Sequence, residues 1–425
     1  MHPPETSITV RLDKIPPLAQ LAIQWRELES RAQPSFFLTW SWIGNWLASL
    51  GAHVEQGWVL SAHEQGRLVG LAVVFDTPIR RRLLPMGRAA YVNETGIPAF
   101  DVLTIEHNGL LIDAHCSPAV HHAMLARACA EGSRWRELHL REAAPAVPDL
   151  APRETAVVFR RSQSRDCCLV DLARVREHEG DFVGLLGSSR RAHIRRCLRA
   201  YAAIGPLQLT VAHDVPTSLE FFRRMVVLHD RRFAERGRQS SFTTPYCRSF
   251  HERLVIDAQP RGEVQLLRLA AGDHELGYLY CFVHCGHVYF YQSGFDYKLL
   301  DKRFSPGLVT LALAIEHNAA QGLRWFDFLA GDQAYKASLA TDRSAMISLT
   351  LQRRSFLSAT ERALRWKVRL VRLALARMRA WIGGEKLVSV AGAMLIGTLS
   401  SLYPESALAD GCEAMGFLVT RARSI

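Results

Sequence analysis

The sequence contains no hydrophobic run long enough to span a bilayer and no disulfide framework. Its longest apolar stretch, residues 387–402, is shorter than the ~20 residues that a membrane-spanning helix needs. The nine cysteines are scattered, and the adjacent Cys167 and Cys168 cannot form an ordinary bridge with each other. The first residues lack the charged and then apolar stretches of a secretory leader. We therefore expect a cytoplasmic protein with reduced thiols.

One arrangement of predicted elements occurs twice along the 425 residues. Each copy has two alternating strands joined by a polar turn, and later a helix that runs into a strand introduced by tryptophan. The first copy occupies residues 58–75 and 119–142, and the second occupies residues 264–283 and 307–330. We therefore expect an α/β (α+β) fold of two duplicated halves, each a mixed twisted sheet flanked by helices.

The expected boundaries follow from composition. A proline-containing connector at residues 144–154 separates the two copies, and a basic segment follows the second copy. We assign residues 1–155 to a first, degenerate half, residues 156–352 to a second half, and residues 353–425 to a C-terminal helical segment and tail. A hydrophobic content of 48% is ample for packed cores in both halves.

One segment of the second half has the features of an anion-binding helix start. Ser305 is a favoured N-cap, Pro306 suits the first helical position, where no N–H is required, and Gly307 leaves the backbone uncovered. The free amides and the helix dipole attract phosphate. The preceding loop adds three cations: Lys298, Lys302 and Arg303. We expect these six residues to hold a pyrophosphate, although an ordinary capped helix has the same local sequence.

The elements on either side favour the binding interpretation. Residues 287–296 alternate like a half-buried strand before the loop, and residues 324–331 form an aromatic strand after the helix. In open α/β sheets, loops at the carboxyl ends of strands are where ligands bind. The order of strand, loop, helix and strand therefore predicts a ligand site in this loop.

Five segments of the second half carry a family resemblance. They are SSRRAHIRRCLR at 188–199, LHDRRFAERG at 228–237, FYQSGFD at 290–296, SPG at 305–307 and FDFLAGDQAYK at 326–336. In this order they resemble the acyltransferase domain of the GNAT superfamily, in the branch of the CelD-like and BioF2-like proteins. The tandem halves are also similar to those of the FemABX peptidyltransferases.

The resemblance implies acyl transfer from acetyl-CoA or another acyl-CoA, without a metal, to an amine or hydroxyl. In such a reaction the acceptor attacks the thioester carbonyl directly. The enzyme must position both reactants, stabilise the oxyanion and remove a proton. We expect the strand at residues 289–293 to diverge from its neighbour and to supply backbone amides to the pantetheine arm and the carbonyl.

Two residues are candidates for the base that removes the acceptor's proton. Asp327 alternates with Phe326 and Phe328 in an apolar strand, so its carboxylate faces a different layer and is expected to have a raised pKa. His229 lies on a predicted helix and titrates in the useful range. A structural aspartate bonded to the next loop and a hydrogen-bonded core histidine are the alternatives.

Other polar residues of the second half receive roles from the resemblance or from their position. Tyr335 and Lys336 resemble the family's Tyr-Lys pair, and we assign them as a general acid or as anion-binding groups. An exposed lysine paired with Asp332 is the alternative. The remaining acceptor or loop-positioning contacts assigned to this half are Arg232, Gln292 and Asp296.

The first half lacks lysine and arginine directly before its repeat helix, so we place nucleotide binding in the second half. The first half is expected to supply a wall and acceptor contacts. Asn93 and Glu94 are assigned as substrate contacts. They belong to a polar cluster that also contains Asp101, Glu106, His107 and Asn108. A solvated loop is the alternative, because loops collect such residues for turns as well as for function.

A group of four potential metal ligands lies within seven residues: Cys281, His284, Cys285 and His287. Along one strand, alternation sends these side chains to opposite faces, so they cannot surround one ion tetrahedrally. We therefore expect no metal site there.

The basic excess of the chain is concentrated near its end. Nine cations and the single acid Glu361 lie between Arg353 and Arg379, which gives +8 of the formal net charge of +11. An apolar stripe from Leu364 to Ile382 accompanies them. Such a basic amphipathic helix predicts peripheral contact of residues 353–382 with an anionic membrane, at its inner face. A terminal helix packed on its own protein is the alternative.

Three functions stay open from the sequence. The first is an acyl-CoA-dependent N- or O-acyltransferase acting on a small-molecule or glycan acceptor, in cell-envelope or exopolysaccharide biosynthesis. The second is a FemABX-like transferase that uses aminoacyl-tRNA, the one case in which nucleic acid is expected as a partner. The third is a non-catalytic module of an envelope polysaccharide assembly.

Overall fold

The computed structural model describes residues 8–81, 84–116, 118–130, 134–144, 157–301, 303–331 and 333–353. These described residues form one compact unit. The helices are α1 Leu18–Ala32, α2 Trp40–Ser49, α3 Ala119–Cys129, α4 Leu172–Glu177, α5 Phe182–Leu185, α6 Ser188–Ala202, α7 Val215–Glu235, α8 Pro245–Ala258, α9 Pro306–Ala320 and α10 Ala334–Leu339. The strands are β1 Ile8–Lys14, β2 Trp58–Glu64, β3 Arg67–Arg81, β4 Leu84–Val92, β5 Leu111–Ile112, β6 Glu137–Ala143, β7 Val157–Asp171, β8 Leu207–Val211, β9 Val264–Ala271, β10 His274–His284, β11 His287–Phe295, β12 Trp325–Ala330 and β13 Asp342–Arg353.

Side-chain caps explain where the main helices of the second half begin. The Asp214 carboxylate accepts a hydrogen bond from the third residue of α7, and the Thr244 hydroxyl does the same for α8. Both helices carry proline in their first turn, as does α9, which Ser305 caps. The helix start predicted at residues 305–307 is therefore confirmed as a structural feature.

One mixed sheet runs through both halves, and its strand order is symmetric about its centre. From edge to edge the order is β1-β2-β3-β4-β6-β13-β7-β12-β11-β10-β9-β8, with β5 beside β3. In each half an antiparallel meander ends on a strand that pairs in parallel with the strand after the helix: β4 with β6, and β11 with β12. The internal repeat and the mixed α/β class predicted from the sequence are confirmed.

The two central strands are exchanged between the halves. β7 follows the first copy in the chain but pairs with β12 of the second, while β13 follows the second copy but pairs with β6. β7 and β13 also pair with each other from Asp342↔Leu169 to Arg353↔Val157. We expected a separate sheet in each half. The exchange joins the two sheets, because alternation along a strand does not specify which strand it pairs with.

Alternation along β12 sends its side chains to two layers. Phe326 and Phe328 face a core that includes residues of α4, α5, α6 and α9. Asp327 faces the opposite layer, as predicted from the alternation. Residues of both halves meet in that layer, where the Phe36 ring stacks on the Phe282 ring with centroids 4.3 Å apart. The sheet thus separates the α9 face from a face that both halves build.

The cysteine and histidine group at residues 281–287 lies around a hairpin turn and not along one strand. β10 ends at His284 and β11 begins at His287. Cys285 and Gly286 between them have φ of 48° and 77°, as in a two-residue turn of type I′. Cys281 is buried and Cys285 is exposed.

Part of the predicted basic segment is visible. Arg353 is the last residue of β13, and its guanidinium donates to the Ala130 carbonyl. The rest of the segment lies outside the described residues. In the ranges given above, no helix combines the length and apolar character that crossing a bilayer requires.

Candidate active site

The parallel strands β11 and β12 pair at three positions and then diverge. Tyr289 and Asp327 form the last of these pairs. Beyond it, β11 carries an extra residue opposite β10, and β12 shifts its register against β7. Such bulges bend strands and terminate pairing. The predicted divergence of the strand at residues 289–293 is confirmed, and we call the Tyr289–Asp327 pair the apex.

Asp327 is fully buried at the apex, and both of its carboxylate oxygens accept hydrogen bonds. Oδ2 accepts from His107 Nε2 at 2.8 Å, while Oδ1 accepts from Cys167 Sγ at 3.0 Å and from the Leu329 amide at 2.7 Å. Burial alone raises the pKa of Asp327, but the hydrogen bonds and the nearby imidazole hold it below its ordinary value. The raised pKa predicted for this carboxyl is therefore wrong.

His107 lies in the first half and is the hydrogen-bond partner of the Asp327 carboxylate. Its φ of 46° and a 2.9 Å hydrogen bond from Ser35 Oγ to its carbonyl fix the loop that carries it. The ring lies 5.6 Å from the Tyr289 ring. Burial lowers the pKa of His107, but the Asp327 carboxylate, together with Glu106 and Glu142, offsets this and gives a net rise. Because Nε2 donates to Asp327, Nδ1 is the ring nitrogen left for a proton transfer.

A second cross-half pair holds the bulge that follows Asp327. The Ala330 amide donates to Glu106 Oε2 at 2.6 Å, and Lys336 Nζ donates to the Ala330 carbonyl at 2.9 Å. Leu329, the residue directly before Ala330, has a φ of 60°. Burial raises the pKa of Glu106 to about 7 and lowers the pKa of Lys336. Lys336 is thus buried and directed inward, unlike the exposed alternative, and its role as an anion-binding group stays a prediction.

Tyr335 lies on the other side of β12 from Asp327. Its ring is edge-on to Phe328, with centroids 6.4 Å apart. Burial raises the pKa of Tyr335 to about 12, so the phenol stays protonated at neutral pH. A general-acid role for Tyr335 stays a prediction, and the structure does not bring it to the Asp327 layer.

His229 is a buried residue of α7 beside β11. Its Nδ1 donates to the Ser293 carbonyl at 2.9 Å, and its ring stacks on Phe233 at 4.5 Å. Burial lowers the pKa of His229, which keeps it neutral. Gly294 allows this close packing, since a Cβ there would collide with the Met225 carbonyl. These contacts match the core-histidine alternative, and a role for His229 as base stays a prediction.

The other acceptor candidates of the second half lie on or near β11. The Arg232 guanidinium is 4.3 Å from the Tyr297 ring and 3.2 Å from Glu235. The Asp296 carboxylate accepts from the Lys298 amide and closes a turn. Gln292 is half-buried on β11. Their contacts with an acceptor stay predictions.

The expected phosphate cradle lies at the start of α9. Ser305 Oγ accepts from the Leu308 amide at 3.3 Å. Gly307 packs against β11, where a Cβ would lie 2.9 Å from the Phe295 ring. The exposed Arg303 contacts Asp301, and Lys298 is also exposed. Lys302 lies outside the described residues. The helix start and the diverging strands are thus joined by the Phe295–Gly307 contact.

The equivalent region of the first half is filled by its own side chains. β4 and β6 also pair at three positions, but Arg141 covers the Tyr91 ring at 5.3 Å. Arg141 also bonds Glu94 at 2.8 Å and Asp101 at 3.0 Å. Burial raises the pKa of Glu94 to about 7. The Asn93 amide is satisfied internally by Val73, Asn108 and Gly109. The substrate roles of Asn93 and Glu94 stay predictions.

A cavity of about 430 Å³ opens in the first half and reaches His107. The end of α1 and the loop around residues 107–116 line it. Within the part of the chain that the structure describes, no lysine or arginine lines this first-half cavity. Its Asp113 carboxylate is already paired with Arg31 at 2.6 Å.

Three residues at the apex have atoms that could in principle ligate a metal. The donor atoms of His107, Cys167 and Asp327 lie within 4.8 Å of one another. However, a thiol must ionise to bind a metal, and burial followed by the Asp327 charge raises the pKa of Cys167 well above its ordinary value. Imidazole and thiol already donate to the carboxylate, so the group forms a hydrogen-bonded cluster.

Comparison with known proteins gives a match for part of the chain. Residues 188–337 match the family described as the acetyltransferase (GNAT) domain. No curated protein matches the sequence. Similar solved structures include FemX, at 11% identity and a TM-score of 0.49, covering 80% of this chain and 96% of that chain. L-PGS from Bacillus licheniformis has 10% identity and a TM-score of 0.48, with 86% and 98% covered. A tandem GNAT protein from the clavulanic acid biosynthesis pathway has 11% identity and a TM-score of 0.38, with 81% and 98% covered.

Proposed function

We propose that this chain, in which residues 188–337 form a GNAT acetyltransferase domain, is an acyl-CoA-dependent transferase that acylates an amine or hydroxyl acceptor. A GNAT domain implies an acyl-CoA-type co-substrate in general. The observation that carries the proposal is the divergence of β11 and β12 next to the capped start of α9. Acetyl-CoA is the donor we propose.

The start of α9 and the loop before it have features that favour a pyrophosphate. The helix dipole and the free amides of the first turn attract an anion. Gly307 lets this helix start pack closely on β11, because a Cβ there would lie 2.9 Å from the Phe295 ring. Lys298 and Arg303 add positive charge in the loop before it.

The diverging strands fit the rest of the donor. Backbone amides and carbonyls that leave a β-ladder need new partners, and the amide-rich pantetheine arm supplies them. The acceptor nitrogen or oxygen then attacks the thioester carbonyl carbon. The C–S bond breaks, the acceptor's proton passes to a base, and the sulfur leaves as CoA thiolate and is protonated. The acylated acceptor and free CoA are the products.

A small-molecule or glycan acceptor in cell-envelope or exopolysaccharide synthesis remains part of the proposal. The basic segment at residues 353–382 supports it, since peripheral attachment to an anionic membrane would bring the enzyme to envelope precursors. This setting is independent of the acyl-transfer chemistry and needs its own test.

One observation favours a second donor, aminoacyl-tRNA. Helix α6 is basic and contains no acid, and it carries Arg190, Arg191, Arg195, Arg196 and Arg199. A basic helix suits a polyanion such as RNA. The two donors differ in the product released, because only acyl-CoA gives a free CoA thiol.

The purified full chain is incubated with acetyl-CoA carrying a radiolabelled acetyl group and with a low-molecular-weight cell extract. We expect free CoA and labelled acceptor to appear in equal amounts, and Gly307→Glu to abolish both. Gly187→Glu is the matched control, since it adds the same group at the open start of α6 and leaves activity unchanged. Transfer from aminoacyl-tRNA without any reaction of acetyl-CoA would contradict the proposal.

A further inference from the structure

We propose that His107, a residue of the first half, is the general base of the reaction and that the acceptor approaches it through the first-half cavity. This inference rests on the proposed acyl-CoA-dependent function and deepens it. In this arrangement the second half binds the donor, and the first half supplies the base and the acceptor site.

The sheet itself determines where donor and acceptor meet. α9 and the phosphate cradle lie on the face of Phe326 and Phe328. The Asp327 carboxylate lies on the opposite face, where His107 binds it. The ladder between β11 and β12 ends at the apex, between these two faces. A pantetheine arm bound between the two strands from the α9 side would bring its thioester to the side of His107.

Geometry favours His107 over the two residues named from the sequence. Asp327 is 1% exposed and both of its oxygens accept hydrogen bonds, so it has no path to an acceptor. The Nδ1 of His229 already donates a hydrogen bond to the Ser293 carbonyl. The His107 side chain is 23% exposed, lines the first-half cavity and contacts the apex through Tyr289. His107 therefore lies both at the first-half cavity and beside the apex.

The charges around His107 suit a base held by a carboxylate. Burial lowers the pKa of the ring, and Asp327, Glu106 and Glu142 raise it, with a net upward shift. Of the other facing groups, burial lowers the pKa of His287 and raises those of Tyr289 and Cys167, so they stay neutral. Lys336 lies against Glu106 and offsets part of the negative charge. Asp327 therefore positions His107 and stabilises the imidazolium that forms.

The lining of the first-half cavity limits the acceptor. Leu38, Leu110 and Ile112 supply apolar surface, and Ser35 and Asn108 supply neutral polar groups. A volume of about 430 Å³ lies within the usual range for small-ligand pockets. The acceptor class that fits is a small, largely uncharged molecule or sugar unit that presents one amine or hydroxyl to His107. Among the described residues, no lysine or arginine lines the cavity to bind a polyanionic acceptor.

The proton transfer balances without another reactant. His107 Nδ1 accepts the proton of the attacking amine or hydroxyl as the new bond to the carbonyl carbon forms. The ring becomes an imidazolium, paired through Nε2–H with Asp327. When the C–S bond breaks, the imidazolium returns the proton to the leaving thiolate. The base is regenerated, and free CoA thiol is released.

Bromoacetyl-CoA tests the position of His107 without knowledge of the acceptor. A nucleophile beside the acyl group displaces bromide and forms a stable bond to the methylene carbon, which peptide mass spectrometry locates. We expect one acetyl-CoA-protected adduct per chain, on His107, and its loss in His107→Gln. His229→Gln is the matched control and keeps the adduct. The exposed Cys285 can also react with the reagent. Any labelling of Cys285 that persists in the presence of acetyl-CoA is subtracted.

The outcomes separate the inference from the proposed function. If acetyl-CoA binds by calorimetry but the protected adduct lies on another residue, or none forms, the inference is overturned and the proposed function stands. If acetyl-CoA does not bind, the proposed function fails and the inference with it. Glutamine at position 107 can still donate to Asp327, so a folded variant is expected, and its melting temperature checks this.

The labelling rate also tests Asp327 as a positioning residue. In the native chain the rate follows ionisation of His107, so its pH midpoint reports that group. Asp327→Asn removes the facing carboxylate, and we expect the midpoint to move to lower pH while acetyl-CoA affinity is kept. A midpoint that does not move, with labelling still on His107, would contradict the positioning role.

Discussion

Glu106 offers a sharp test of how the two halves are joined. Its carboxyl is 9% exposed, accepts the Ala330 amide at 2.6 Å and faces Lys336 across the seam between the halves. Burial raises the pKa of Glu106 from 4.5 to about 7. The perturbation is Glu106→Gln, which keeps an acceptor oxygen for Ala330 and removes the titration.

The sign and size of the effect follow from this shift. Between pH 4.5 and 7 the folded chain holds a proton on Glu106 that the unfolded chain has released, so stability is full at low pH and falls as pH rises. The rise of the Glu106 pKa from 4.5 to about 7 corresponds to about 3 kcal/mol over the whole titration. Because pH 5 lies above the unfolded pKa, part of this loss has already occurred there, and between pH 5 and 8 we expect the native chain to lose about 2 to 3 kcal/mol relative to Glu106→Gln.

The assay is urea unfolding of both chains at half-unit steps from pH 5 to pH 8. Glu94 is buried with a similar shift, but both chains contain it, so it cancels in the difference. Glu220→Gln, on the exposed side of α7, is the matched control and should leave the difference flat. A flat difference for Glu106→Gln as well would refute the buried, proton-holding state of this carboxyl.

Three further predictions concern the site and the tail. Asp327→Asn should keep acetyl-CoA affinity and lower turnover by roughly 100-fold or more, and full activity would remove Asp327 from the mechanism. Ser305→Ala should lower the free energy of unfolding by about 1 kcal/mol, because the Leu308 amide loses its cap, and an unchanged value in thermal melts would argue against that cap. A chain ending after Arg354 should still bind acetyl-CoA but lose salt-sensitive sedimentation with anionic vesicles, because each cation removed takes away about 1 kcal/mol of attraction to the anionic surface. Retained sedimentation would place the membrane contact elsewhere.

Local chemistry made much of the second half predictable. Ser305 and Pro306 mark the start of α9 because capping needs only neighbours in the chain. The alternation around Asp327 correctly gave its layer, since strand side chains alternate with period 2. Both depend on contacts within a few residues, which a single sequence contains.

The contacts that build the candidate site lie far apart in sequence. His107 is 220 residues from Asp327, and Glu106 is 224 residues from Ala330. The polar cluster around His107 was a visible signal, but nothing in it identified its partner. The direction of the Asp327 pKa was wrong for the same reason, because burial was predictable and the imidazole that offsets it was not.

The exchange of β7 and β13 could not be predicted from the sequence either. Both strands alternate as other strands do, and alternation fixes which face is buried but not which neighbour is chosen. The turn at Cys285 and Gly286 was missed, because residues 281–287 were interpreted as one strand, although a two-residue loop ending in glycine between alternating runs is a hairpin signal. The lesson is specific: pairings across the centre of the sheet need three-dimensional information.

The most direct test of the account is calorimetric titration of the full chain with acetyl-CoA. The account predicts one saturable site per chain, because Arg141 fills the corresponding place in the first half. Gly307→Glu should abolish the binding heat while Gly187→Glu retains it, and the melting temperature of each variant checks that it is folded. Absence of binding, two sites per chain, or full affinity in a folded Gly307→Glu chain would contradict acyl-CoA binding at the start of α9.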